Sequence, residues 1–247
     1  IFEYQLTGSE AGGDYDNDLL FYSRRIGGSP HGFPSARNGE YVKYPQNTTI
    51  LGAMKFSGKT KKGFSIGILE SITEREFATF DSSGKRRTAL AEPLTNYFVA
   101  RVQQDYKEGN TVIGGIFTAV NREKGLNDIV HSSAYSGGID FLHFWNKRTW
   151  YVRGNFIFSN VNGSKEAIYQ TQTSFEHLFQ RPDIKEATLD PNRTSLTGTG
   201  ATFRLGKSGG SGGKLGQVFK FETGVTYRSP ELELNDIGFM LTANEIN

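Results

Sequence analysis

The chain has 247 residues, 36% hydrophobic and 13% aromatic, with 28 basic and 26 acidic side chains for a net charge of +2. It contains no cysteine, which excludes disulfides, thiolate catalysis and cysteine-ligated zinc or iron–sulfur sites, and its near balance of charge argues against a nucleic-acid partner. No apolar run approaches the roughly 18 residues of a membrane helix, whereas a membrane strand needs an apolar side chain only at every second position, so spanning strands stay open.

Residues 1–47 are rich in Gly, Asp, Ser, Pro and Arg and lack periodicity, which predicts an irregular lead-in, either a plug or a periplasmic segment. Within it, "DYDND" spaces Asp14, Asp16 and Asp18 like the start of a calcium loop. An EF-hand would need Gly and Glu at the sixth and twelfth positions; Leu19 and Arg25 stand there. A looser calcium- or sugar-contacting loop survives as a weak metal candidate beside the plainer reading of a solvated acidic turn. In "FYSRRIG", Arg24 and Arg25 follow two aromatics. Two roles fit them: an inward-folded plug paired with carboxylates such as Asp105, Asp140 or Glu222, which is preferred, or a surface strand.

From residue 48 strand-like stretches arrive in pairs: 48–60 with 64–73, 95–106 with 111–121, 133–145 with 149–161, and 195–206 with 217–228. A few Gly, Asn or Lys residues join the members of most pairs, and the Gly-rich "KSGGSGGKLG" the last, as hairpin turns require. The intervening connections at 74–94, 122–132 and 162–194 are much longer. Short and long connections alternate, so an antiparallel meander would collect its large loops at one end, as outer-membrane barrels do. Stretches of this length suit a tilted membrane crossing of about 9–11 residues better than a typical soluble strand of about 5–6.

In most stretches, alternation gives one greasy face and one wet face. Phe64, Phe98, Phe141, Trp145, Trp150, Phe156, Phe158, Phe219 and Phe221 fall on the greasy side, and Lys55, Arg101, Gln103, Asp105, Asp140, Arg153, Asn155, Arg204, Lys220 and Glu222 on the wet side. A membrane barrel turns the first set to lipid, with an aromatic belt, and the second to a polar lumen. A soluble sandwich does the reverse. Stretches 111–121 and 195–206 are ambiguous by this criterion.

Catalytic motifs are weak. "LGKSGG" lacks the first glycine of a phosphate-binding loop, since Ala201 occupies that place, and no helix pattern follows. His31, His131, His143 and His177 are scattered; His143 reads as a belt residue beside Trp145 and Trp150. No serine sits in a nucleophile elbow. Acid pairs among Glu70, Glu74, Glu76, Asp81, Glu166, Glu176 and Asp183 leave glycoside hydrolysis open, with carboxyl separation as its criterion.

The blocks "LLFYSRRIGGSP" (19–30), "EPLTNYFVARVQQDYKEGNTVIGGIFTAVNR" (92–122), "SAYSGGIDFLHFW" (133–145), "NVNGSKEAI" (160–168), "HLFQRPD" (177–183) and "YRSPELELNDIGFM" (227–240) cover most of the chain. Together they resemble the Bacteroidota domain of unknown function family 5916. The resemblance implies a predicted outer-membrane β-barrel in a Gram-negative envelope, a link to glycans through a family-9-like carbohydrate-binding domain that precedes this region, and no established reaction. It also implies that this chain is an internal portion, with "IFEY" the tail of an upstream block and further strands after residue 247.

The expectation is therefore an all-β, antiparallel, up-and-down transmembrane barrel of about eight strands in this portion (48–247), part of a larger barrel. Its work is expected to be non-enzymatic passage, docking or display at the cell surface, without a cofactor, with the lipid bilayer, a glycan ligand and other envelope proteins as partners. The alternatives are a secreted glycoside hydrolase-like enzyme on a soluble β-sandwich and a soluble adhesion module.

Overall fold

A computed structural model describes residues 18–126, 128–183, 185–208 and 219–246. A 3-10 turn at Ser23–Arg25 precedes β1 (Tyr41–Lys43), β2 (Ile50–Lys59), β3 (Phe64–Thr73), β4 (Glu76–Ser82), β5 (Lys85–Glu92), β6 (Thr95–Tyr106), β7 (Thr111–Arg122), β8 (Ser133–Trp145) and β9 (Trp150–Asn162). Helix α1 (Lys165–Thr173), β10 (Ser195–Lys207), β11 (Phe221–Arg228) and β12 (Glu245–Ile246) follow. One sheet of nine strands runs β2-β3-β6-β7-β8-β9-β10-β11-β12, and a three-stranded sheet runs β1-β4-β5. Every pairing in both is antiparallel.

The large sheet is a meander of neighbours, so sequence-local hairpins set most of its register. Its members β6 to β10 are 12–13 residues long, about twice the common strand length. The two ambiguous stretches are strands as well, β7 and β10. The sheet does not close: β2 stands at one end of its order and the short β12 at the other. A closed barrel is therefore not formed by these residues.

Regular structure also occurs where irregular segments were expected. Residues 74–94 carry the β4–β5 hairpin, turned at Ser83 and Gly84 with φ of 52° and 85°. The alternation of Ala78 and Phe80, both buried, with Phe77 and Thr79 drives it. Residues 162–194 carry α1, begun by the Ser164 hydroxyl, which accepts from the Ala167 N–H at 3.1 Å. The lead-in supplies β1, which pairs with β4.

One face of the large sheet is covered. The lead-in runs antiparallel to the C-terminal segment, with Leu19 and Phe239 exchanging backbone hydrogen bonds of 2.8 and 2.9 Å. Leu20 and Phe21 join Leu232, Leu234, Ile237 and Met240 in a core against Tyr97, Val99, Ile116, Val120, Ala134, Ile157, Val161 and Leu196 of the sheet, closed by Ile168 and Phe179. Gly198 makes the approach possible: a Cβ there would lie 2.2 Å from the backbone nitrogen of Leu232.

Candidate functional site: a charged sheet face and a polar cleft

Register divides the large sheet into rows that alternate between the covered face and the opposite, bare face. One bare-face row contains Phe64, Gln104, Ile113, Phe141, Gly154, Phe203 and Val225. The next two rows toward the long connections add Ile66, Val102, Ile139 and Phe156, and then Phe56, Ile68, Phe117 and Phe158. Ile139 is 65% exposed, Phe203 52%, Phe156 49% and Phe64 39%. Toward the hairpin turns Trp145 stacks on Trp150 at 6.4 Å, Trp150 meets Phe221 edge-on at 5.5 Å, and His143 stacks on Trp145 at 6.0 Å. Toward the long connections a row turns polar: Asn96, Asn121, Ser133, Asn162 and Ser195. Phe98 lies in the row just inside that rim, and Phe219 lies outside the strands, 5.8 Å from Phe221.

The covered face has two halves. Beyond the apolar core, toward the hairpin turns, it carries charge. Arg101 is 5% exposed and grips Asp140 with both guanidinium nitrogens, at 2.5 and 3.0 Å. Gly114 leaves the space, since a Cβ there would sit 2.5 Å from Asp140 Oδ2. Gln103 accepts from Arg101 at 3.4 Å and donates to Asp105 at 3.2 Å, and Lys59 reaches Asp105 at 2.7 Å. Arg153 and Arg204 stand directly opposite each other on β9 and β10, an arrangement of like charges that destabilises a sheet unless compensated. Glu222 compensates it, accepting from the Tyr151 hydroxyl at 2.5 Å, with Arg153 at 3.4 Å and Arg204 at 3.9 Å. Asn155 lies between Asp140 and Thr202, and Lys55 is opposite Leu69, on the same face. Nine of the ten wet-side residues thus share one face; Lys220 falls just before β11 begins.

The lead-in arginines sit elsewhere than expected. Arg25 donates to the Gly238 carbonyl at 3.1 Å and to Asn235 at 3.3 Å, and Arg24 is exposed. Asp105, Asp140 and Glu222 are taken by the strand cations just described, which are adjacent through register, whereas Arg25 is held against the C-terminal segment. Of the three aspartates, Asp14 and Asp16 lie outside the described residues. Asp18 is 1% exposed and bound to Arg228 at 2.5 Å, so it fastens the lead-in to β11 rather than lying in a solvated turn.

At the long-connection end a cleft of about 360 Å³ is lined by Arg25, His31, Arg122, His131, Gln170, Thr171, Ser174, Glu176, Glu233, Asn235 and Asp236 among others. His131 faces Asp236 through Nδ1 and the Thr171 hydroxyl through Nε2, both at 2.7 Å, and Arg122 holds the second Asp236 oxygen at 2.5 Å. Burial pulls the His131 pKa down, but the Asp236 charge and hydrogen bond, with Glu233, outweigh it and leave it above the ordinary histidine value. Burial works to raise the Asp236 pKa, and His131 and Arg122 together drive it well below the carboxylate range. The order Thr–His–Asp imitates a hydrolytic triad. Thr171, however, donates its hydroxyl to the Ala167 carbonyl at 3.1 Å, so His131 donates through both nitrogens, and a charged imidazole cannot take a proton from Thr171.

The loop carboxylates have structural partners: Glu70 accepts from Asn96, Glu76 from the Thr49 N–H at 2.7 Å, Asp81 from Arg86 at 3.2 Å, and Asp183 from Arg181. Glu74 is exposed and Glu166 occupies the first turn of α1. The cleft is not legible in the sequence because its members meet over separations of 105 residues for His131 and Asp236 and 114 for Arg122 and Asp236, with no local spacing to announce them.

No curated protein and no solved structure matches the chain. A protein-family model does, over residues 15–247, a span containing both halves of the covered face and the segments that cover one of them. The chain therefore belongs to the family described as a domain of unknown function, DUF5916.

Proposed function

We propose that this chain is part of the wall of an outer-membrane β-barrel in a Gram-negative envelope, with the charged face toward the lumen and the aromatic face toward lipid. One observation carries the reading: the sheet buries Arg101 and Arg204 and keeps their carboxylate partners Asp140 and Glu222 partly buried, while Phe64, Phe117, Phe156, Phe158 and Phe203 stand exposed. In water each half-exposed Phe, Ile or Val forgoes roughly 1–2 kcal/mol, and across such a face the sum rivals the roughly 5–15 kcal/mol that holds a whole domain together. Acyl chains remove that cost. The band from the row of Phe98 and Tyr135 to that of Trp145 and Trp150 spans eleven residues of β8, whose ten steps cover about 34 Å along the strand, or about 24 Å at a tilt near 45°. That is the height of a barrel's apolar belt, with tryptophans at one border and asparagines at the other.

The strand edges at β2 and β11–β12 are to be paired by further strands, because bare edges within a bilayer leave backbone groups without partners. With half of the covered face filled, the barrel works by docking or display at the cell surface, or by passage after a rearrangement, and without catalysis. The glycan link rests on the family resemblance alone. Other envelope proteins remain proposed partners, and the soluble enzyme is disfavoured by the exposed aromatic face.

The test is fluorescence in vesicles whose acyl chains carry bromine at chosen depths. Trp145 and Trp150 should be quenched best by bromine near the headgroups, and a tryptophan replacing Phe156 by bromine near the bilayer centre. A monodisperse chain in detergent-free buffer, with none of these tryptophans quenched, would overturn the reading.

A further inference from the structure

We infer that residues 229–234 form a proton-held latch, docked on the covered face while the His177–Glu233 pair keeps one shared proton and released when that proton leaves. His177 is 3% exposed. Its Nδ1 lies 2.8 Å from the Pro230 carbonyl and its Nε2 2.8 Å from Glu233 Oε2. A carbonyl only accepts, an ionised carboxylate only accepts, and a neutral imidazole has one N–H to give. Both contacts are satisfied only if the pair holds an additional proton, whichever of the two side chains carries it. Without it, a buried lone pair faces a buried carboxylate, a cost that docking must then bear.

The place of these contacts makes them a latch. Pro230 and Glu233 flank Leu232, the fully buried residue whose backbone passes over Gly198. The Glu233 N–H donates to Ser159 Oγ of β9 at 3.0 Å, and Glu233 Oε1 accepts from the Asn235 N–H at 2.5 Å. The next anchor differs in kind. Asp236 is held by His131 and also by Arg122, and a guanidinium keeps its charge at any relevant pH. Loosening therefore begins at 229–234 and stops at Asp236. Released, the segment lifts Leu232 and Leu234 off the sheet and uncovers the part of the apolar half beneath them, while Leu20, Phe21, Ile237 and Met240 stay in place.

The groups around His177 set the direction. Glu233 and Glu176 are the carboxylates facing it, the Phe179 ring stands edge-on at 5.7 Å, and the nearby Glu231 is paired with Arg193 at 3.7 Å. Burial alone lowers the His177 pKa; the Glu233 hydrogen bond and charge, the Pro230 carbonyl and Glu176 outweigh it, and the value lies above that of an ordinary histidine. A raised folded value gives stabilisation that is complete below the unfolded pKa of about 6.5 and is lost as pH rises through the folded one. The latch is shut on the acid side and opens toward alkaline pH.

Packing on the covered face alone holds the latch, whatever meets the aromatic face. The chain lacks cysteine, so a nitroxide placed through Glu231→Cys in the full, detergent-solubilised chain reports this segment alone. Its spectrum should be immobile near pH 6 and gain a mobile fraction as the pH is raised through the elevated His177 value. His177→Gln should give a label whose mobility no longer varies with pH. Glu233→Gln should keep it immobile throughout, since a carboxamide can donate to a neutral His177 and needs no added proton. His131→Gln should leave the transition in place. Unchanged tryptophan emission in each variant confirms that the sheet is folded. A wild-type label that stays immobile to pH 10, or a transition that survives in His177→Gln or Glu233→Gln, overturns the latch.

Discussion

The two halves of the covered face lie on the same strands and obey opposite rules. Near the long connections Tyr97, Val99, Val120, Val161 and Leu196 pack under Leu20, Leu232 and Met240 in a dry core, as they would in any soluble domain. Near the hairpin turns the same strands present Arg101, Asp140, Arg153, Arg204 and Glu222, joined to one another across register. The first half is stabilised by segments that arrive from both ends of the described chain. The second is satisfied by its own strand neighbours. What a strand face buries can therefore change along its length, and alternation alone reveals only which side a residue takes.

The sharpest way to break this comparison is to remove one charge from the covered half. Arg122 and Asp236 have side chains only 2% and 8% exposed. Arg122→Met leaves Asp236 buried beside His131 alone, and about 3–5 kcal/mol should be lost from the unfolding free energy in detergent. The double variant with Asp236→Leu should recover much of it; a single variant as stable as the parent would mean that the cleft is open to water.

The bare face supplies the next effect. Phe156→Lys puts a charge in the middle of the apolar band, where a lipid-facing cation costs about 2–4 kcal/mol, whereas Asn160→Lys lies nearer the polar rim and should cost about 0–1 kcal/mol. Guanidinium unfolding from vesicles measures both. Equal costs at the two positions would remove the depth gradient on which the membrane reading depends.

Gly198→Val tests the seating of the C-terminal segment. Its added Cβ meets the Leu232 backbone at 2.2 Å, which no side-chain rotation relieves, so either the segment or the strand must move. The loss should be about 3 kcal/mol, the upper end of ordinary overpacking, together with faster proteolysis within 229–244. If the segment stays protease-resistant, its contact with β10 does not hold it in place.

Much of this was legible in the sequence, and the reason is locality. Hairpin neighbours lie close in the chain, so alternation gives the strands from 64–73 and 95–106 onward, and with them the side taken by Arg101, Asp140, Phe156 and Phe158. The β4–β5 hairpin had a readable sign in "EFATFDSSGKRRTAL", alternating around a Ser-Gly turn, and was lost by treating a long connection as a loop. Arg25 was expected to seek strand carboxylates that strand cations had already taken. Nothing local could show His131 meeting Asp236, or Leu232 crossing Gly198, because each depends on how the C-terminal segment folds back across the sheet. Sheet closure was beyond alternation for the same kind of reason, since shear and strand number belong to the whole wall.

The smallest effect sharpens the comparison by repeating the first deletion in the other half. Asp140→Leu removes the carboxylate from Arg101, as Arg122→Met removes the guanidinium from Asp236. Arg101, however, keeps its hydrogen bond to Gln103 at 3.4 Å, and Asp140 itself is 24% exposed, so solvent and a neighbouring amide take up part of the loss. The expected cost is about 1–2 kcal/mol, below the 3–5 kcal/mol of a fully buried pair, and it should shrink further with added salt because the site is reachable by ions. A cost equal to that of Arg122→Met, indifferent to salt, would place the Arg101–Asp140 pair in an interior as dry as the core. The division of the face into a packed half and a hydrated half would then fail.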